Sequence, residues 1–268
     1  MFSRIVSIPF VAAALVLLYL NWNNDGAFTY YLIPIVIILA VIYAMAPQID
    51  WWWYERYPPM PAKGIITFFE KKSPIFQRLP DEQKKKFLNR VQLFLHAREF
   101  MAKGSETVPE DIKAMIAANA VLMTMNKEEF LPAHFEMIVV YRKSFPSPQY
   151  PRHFHASEIY DHDGVALFSA QHLIKSFVEP TKYYNIGLHE FAKIYMYNHP
   201  DLDWEAMPMA TWAQLEEVSG FSEAGIKEWI GIDDVEERPV SICHYFMFPE
   251  KMKKVLPELF ELYRGVFA

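Results

Sequence analysis

The sequence holds one cysteine, Cys243, so no disulfide can form within the chain. Such scarcity fits a reducing compartment. Positive charge is in deficit too: the formal net charge is −6, and nowhere do basic and aromatic side chains interleave in a stripe. Both features argue against nucleic acid as the principal partner. Internal repeats and low-complexity stretches are missing as well. What is plentiful is apolar: of 268 residues, 52% are hydrophobic and 16% aromatic, enough for one substantial core plus a membrane segment.

Two N-terminal runs, Ile5 to Leu20 and Phe28 to Ala46, lack charge. The second approaches the ~20 residues that cross a bilayer, and the first reaches that length with its Trp22-flanked end. Between them Asn21-Trp22-Asn23-Asn24-Asp25-Gly26 reads as a polar turn. Each run includes a proline, Pro9 or Pro34, which membrane helices tolerate. A signal peptide is the competing reading of the first run, because Arg4 precedes an apolar stretch, but no small-x-small cleavage site follows Leu20. The pattern predicts a retained transmembrane helical hairpin that contacts the membrane through residues 5–46. Its turn carries no Lys or Arg, whereas Arg4, Arg56, Lys63, Lys71 and Lys72 lie outside the runs. By the positive-inside rule the chain is expected to be a multi-pass membrane protein with its C-terminal domain in the cytoplasm.

Trp51-Trp52-Trp53-Tyr54, with Arg56 and Tyr57, then reads as an aromatic belt at headgroup level. Pro58-Pro59-Met60-Pro61 makes a stiff spacer. The expected organisation is residues 1–50 as two transmembrane helices, 51–63 as interfacial segment and linker, and 64–268 as a cytoplasmic domain. In that domain, Phe87, Val91, Phe94, Leu95 and Arg98 recur at helical spacing within Asp81 to Lys103. Thr107-Val108-Pro109-Glu110 has the form of a capping box opening a helix to Met125. Phe135 to Tyr141 and Val165 to Phe168 read as strands, and His189 to Tyr197 and Glu250 to Val266 as helices. The sum is an α+β domain, mostly helical, with a small sheet.

His189-Glu190-Phe191-Ala192-Lys193 carries the chemistry. It is one residue short of H-E-x-x-H, in which two imidazoles a helical turn apart bind zinc and the Glu acts as general base on metal-bound water. Here the second imidazole is Lys193, and an ammonium has no lone pair for a metal. The flanking Asp163-Gly164-Val165-Ala166-Leu167-Phe168-Ser169 and Tyr184-Asn185-Ile186-Gly187-Leu188 resemble the G-V-x-L-S-W and N-V-V-L-H-E-F-A-H-K-L-D segments of the Mlc titration factor family of zinc peptidases, relatives of the anthrax lethal factor catalytic domain. Phe94 to Phe100, Ile116 to Val121, Ile138 to Tyr141, Val235 to Phe246 and Pro257 to Phe260 resemble further family segments in the same order. The resemblance covers roughly Gly64 to Ala268 and implies a zincin-like fold.

Residue by residue, the resemblance implies His189 as first zinc ligand, Glu190 as general base and Glu236 as the ligand from a later helix. Lys193 stands where the second His ligand belongs, and Trp229 where the family has a Tyr that would stabilise the oxyanion. An indole N–H replaces a phenol in neither reach nor acidity. Three readings of Lys193 stay open: it balances Glu190 and Glu236 in a metal-free pocket, it snorkels from a decayed site, or, deprotonated, it binds zinc itself. His153, His155 and His162 read as solvent-exposed loop residues, and His244 as structural. Two function classes follow. One is a membrane-anchored pseudopeptidase that binds a protein or peptide, such as a transcriptional regulator, since the family's namesake binds a repressor. The other is an active zinc metallopeptidase with an atypical ligand set. The cofactor is zinc if the site is active, and otherwise none.

Overall fold

The computed structural model describes residues 2–267, in two compact units, Met1–Pro59 and Met60–Ala268. The first unit contains α1 (Phe2–Asn23), α2 (Thr29–Ala44) and α3 (Ala46–Arg56). Among the described residues α1 alone is long and apolar enough by itself to cross a membrane. Apart from Ser3 its side chains are not buried, and Ile5, Ile8, Leu15, Val16 and Trp22 are well exposed. The second apolar run, 28–46, holds the 16-residue α2, which bends by 61° into α3; together the two are apolar enough for one broken span. Pro47 explains the break, because it has no N–H to return to the preceding turn and is placed instead in the first turn of α3. The Asn21 carboxamide closes the turn, accepting from the Phe28 N–H at 3.0 Å and donating to Thr29 Oγ1 at 3.0 Å. At the other end Asp50 accepts the Ser3 N–H at 2.7 Å and its hydroxyl at 3.0 Å, and Phe2 stacks on Trp53.

The second unit runs α4 (Lys63–Lys72), α5 (Pro74–Arg78), α6 (Asp81–Ala97), β1 (Glu99–Lys103), α7 (Glu110–Met123), β2 (Met137–Tyr141), β3 (Ser157–Tyr160), β4 (Val165–Ser169), α8 (Ala170–Val178), α9 (Ile186–Asn198), α10 (Trp212–Ser219), α11 (Glu223–Ile230), α12 (Glu237–Met247), α13 (Pro249–Val255) and α14 (Pro257–Phe267). It is an α+β domain, mostly helical, around a four-stranded sheet of order β1-β2-β4-β3. β1, β2 and β4 pair in parallel, and β3 closes one edge antiparallel to β4.

Three expected boundaries move. The helix predicted over 81–103 ends at Ala97, where Arg98 turns extended (φ −117, ψ 142), and β1 follows. The period changes there from 3.6 to 2: Phe100 and Ala102 turn inward while Glu99, Met101 and Lys103 face out. The capping box at Thr107 does not form, because Pro109 is the N-cap and Glu110 pairs forward with Lys113 at 2.7 Å. The helix predicted over 250–266 is two helices, since Pro257 cannot donate into the preceding turn and Leu256 leaves helical geometry.

The core is continuous from α4 to α14. α9 runs through its middle, packed on α7, α8, α12 and β3. The C-terminal end of α11 is fastened to the sheet edge, where the Ala156 N–H donates to the Ile230 carbonyl at 2.6 Å. Gly231 makes this approach feasible: its φ is +88, and a Cβ there would run into the Phe154 carbonyl.

Candidate active site

Asn185 starts α9. Its side-chain oxygen accepts the Leu188 N–H at 3.0 Å, and its amide donates to Asn119 Oδ1 of α7 at 3.1 Å. Gly187 lets Asn119 this close, since any Cβ there would collide with the carboxamide. So pinned, α9 carries His189 and Glu190 into the interior, where they are 4% and 1% exposed. Lys193, one turn on, is about one-third exposed along its side chain (35%).

Glu190 makes one hydrogen bond and one ion pair, and Oε2 accepts no hydrogen bond from the described residues. Oε1 accepts from Ser157 Oγ of β3 at 2.8 Å, and Oε2 lies 3.1 Å from Lys193 Nζ. Burial by itself raises the Glu190 pKa, but the Lys193 ammonium, with His189 and the Ser157 hydroxyl, outweighs it and holds the carboxyl below its usual range. Lys193 shows the converse. Burial disfavours its charge, yet Glu190, then Tyr150 and Glu236, keep its pKa above the ordinary lysine value. His189 is pushed down to about 4, chiefly by burial, and is neutral at physiological pH. Its Nδ1 lies 2.8 Å from the Tyr184 hydroxyl.

The structure thus brings His189, Glu190 and Lys193 together and links Trp229 to them indirectly. Trp229 on α11 stacks on Tyr183 at 4.7 Å, and its indole N–H donates to the Tyr184 carbonyl at 3.0 Å. That donor is committed to the backbone rather than offered to a ligand. Glu236 precedes α12 as its N-cap and is exposed; it acts on Lys193 through its charge. The helix starts here because Pro239 is tolerated within a first turn. Arg238 is buried and ties down the loop between α9 and α10, donating to the carbonyls of Trp204, Met207 and Pro208.

Among the other histidines, His153 and His162 are exposed as expected. His155 is not: it is fully buried, with Nε2 3.1 Å from the buried Glu158 carboxylate. The reason is β3, a strand too short to stand out from its polar surroundings, which draws His155 and Glu158 into the interior. His244 is buried, with both ring nitrogens unpartnered and its pKa lowered by burial to about 3. Sequence reasoning gave no role to Ser157, Tyr150 or Tyr184. Only Tyr184 lay close enough to His189 along the chain to have signalled one.

An α+β domain whose central helix presents His-Glu against the edge strand of a small sheet is the frame of a metallopeptidase. The chain belongs to the family described as glucose-regulated metallo-peptidase M90, whose model matches residues 51–268. No curated protein matches it. The family implies zinc, but the residues present do not fit the ion. A catalytic site needs three protein ligands, and among the described residues no three His, Cys, Asp or Glu side chains cluster closely enough to hold a metal. The position one turn after His189 presents an ammonium whose charge Glu190 stabilises.

Proposed function

We propose that this family member is a membrane-anchored pseudopeptidase whose metal site has become a metal-free, charge-balanced pocket for a peptide or protein segment. The observation that carries it is the Lys193–Glu190 ion pair of 3.1 Å on the His189 helix. A general base must take a proton from water, and Glu190 is a poor one here: the Ser157 hydrogen bond and the Lys193 ion pair depress its basicity. Where a dication would neutralise the carboxylate, the ammonium does so instead.

Among the described residues β3 ends the sheet and pairs only with β4, so its outer edge is a template for an extended segment laid beside α9. The likeness to the Mlc titration factor supports a protein occupant such as a transcriptional regulator. α1 supports anchoring, and the α1–α2 pair supports a hairpin with α3 lying along the headgroups.

Calorimetric titration with zinc tests the proposal. The wild type should not bind tightly, whereas Lys193→His, which restores two imidazoles on one helical face, should bind much more strongly. Equal tight binding by both would sink the metal-free reading.

A further inference from the structure

Charge is spread unevenly along the chain. Residues 63–90 hold eight Lys and Arg against three Asp and Glu, a net +5 in a chain of net −6, so the remaining residues carry −11. This stretch forms α4, α5 and the first half of α6. Elsewhere in the second unit Lys113, Lys182, Lys193 and Lys227 each pair with a nearby glutamate. Within the stretch only Lys84 has such a partner among the described residues, Asp81 at 3.3 Å, and Arg90 donates to the carbonyls of Thr124 and Lys127. Lys63, Lys71, Lys72, Arg78, Lys85 and Lys86 are exposed and make no ion pair among the described residues.

The helix dipole explains part of this pattern. A basic last turn is favourable, which accounts for Lys71 and Lys72 in α4 and for Arg78 in α5. It does not account for Lys84-Lys85-Lys86, which follow directly on the first turn of α6, at the end where the dipole disfavours cations. Folding gains little from three adjacent ammonium groups there, whereas an external anion gains much. Beside them lies an open groove of about 470 Å³, lined by Met60, Ile66 and Leu88 together with Lys84 and Lys85, and carrying Glu70 and Asp81 as well. Lys63 precedes Ile66 and Glu70 by three and seven residues, which puts it on their face of α4. Ammonium groups set among apolar side chains match a phospholipid surface, where phosphates overlie acyl chains.

We propose that this face of α4 and α6 binds the anionic phospholipid headgroups of the leaflet beside which the anchor holds it. The proposal rests on the reading of α1 as a membrane anchor. Only six residues separate Arg56 from Lys63, so the tether keeps the face at high effective concentration against the lipid, and contacts too weak to recruit a free protein suffice. Each Lys or Arg that reaches the surface strengthens the attachment about fivefold. The attraction acts within a screening length of roughly 8 Å at physiological salt. The other residues, with their net −11, are repelled by the same surface, which selects this face for contact. Lipid composition thereby sets how much of the time the domain lies against the membrane.

Amine acetylation of the full chain in lipid nanodiscs, read residue by residue by mass spectrometry, tests this. In discs with about 30% phosphatidylglycerol, Lys63, Lys71 and Lys85 should react at least roughly threefold more slowly than in pure phosphatidylcholine discs, and roughly 0.5 M salt should abolish the difference. The exposed Lys251, Lys253 and Lys254 of α13 should react alike in both. Combining Lys71→Gln, Lys72→Gln and Lys85→Gln alters exposed side chains only and should remove the protection of Lys63. Equal rates at Lys63, Lys71 and Lys85 in the two discs overturn the proposal, as does equal protection of the α13 lysines or protection of Lys63 that survives the triple substitution. Flotation with phosphatidylcholine vesicles at high salt tests the anchor separately. A chain that floats only with phosphatidylglycerol vesicles at low salt would refute the anchor and support this face.

Discussion

A buried carboxylate left without its counter-charge is among the costliest single changes a core can suffer. Lys193→Met should therefore destabilise the domain by roughly 2–3 kcal/mol, below the ~3–5 of a fully buried pair because the lysine reaches solvent. Adding Glu190→Gln should recover most of that loss in a double-mutant cycle of denaturant melts. The pair also sets a pH window. Glu190's folded pKa lies below 4.5, so its contribution is complete above pH 4.5 and is lost as pH falls through the depressed value. Lys193's lies above 10.5, so its contribution is complete below pH 10.5 and is lost as pH rises through the raised value. Unfolding midpoints measured against pH should be level only between pH 6.5, below which the unfolded chain protonates the histidines that the fold keeps neutral at His189 and His244, and pH 9, above which the unfolded chain ionises the thiol that the fold keeps protonated at Cys243. Glu190→Gln should flatten the part of the acid limb below pH 4.5. An unchanged acid limb would show that Glu190 gains nothing from Lys193.

Among the elements, the junction of α11 with the sheet edge is the most sharply specified. Gly231→Ala would force a left-handed backbone on alanine and push a methyl into the Phe154 carbonyl. A loss of about 2–4 kcal/mol is expected from backbone strain of ~1–2 plus overpacking, read from thermal melts. A change below ~1 kcal/mol would mean that the edge yields. In the N-terminal unit, Trp52 is 52% exposed beside Arg56. If α3 lies along headgroups, lipids brominated near the glycerol level should quench its fluorescence more than lipids brominated at the chain ends. The sequence revealed elements where one period was long, as in α6 and α9. It concealed β1 and β3, since five and four residues carry too little alternation to compete with the helix upstream or the polar loop around them.

For the molecule as a whole, the proposed hairpin places both ends of the chain on one side of the membrane. A reporter active only in the cytoplasm should work at the C-terminus and be silent near Asn24; the reverse would put the domain outside. The class of the domain was legible because His189, Glu190 and Lys193 are neighbours in sequence and share a helix face. The rest of the site was not. Ser157 and Tyr150 reach Glu190 and Lys193 only through tertiary packing, and Glu236's distance from the motif hid its exposure. The sheet carries a separate consequence, one of timing. β1 and β2 pair in parallel, and the ladder is not completed until β4 ends at Ser169. During synthesis, then, a nascent chain that has emerged only as far as Tyr141 holds at most a two-stranded parallel ribbon with Val139 and Val140 uncovered. Such non-local pairing is slow to form and prone to association, so this half-made sheet is the species a chaperone would meet. α9 emerges afterwards, and Glu190 can accept from Ser157 only at an edge already laid down.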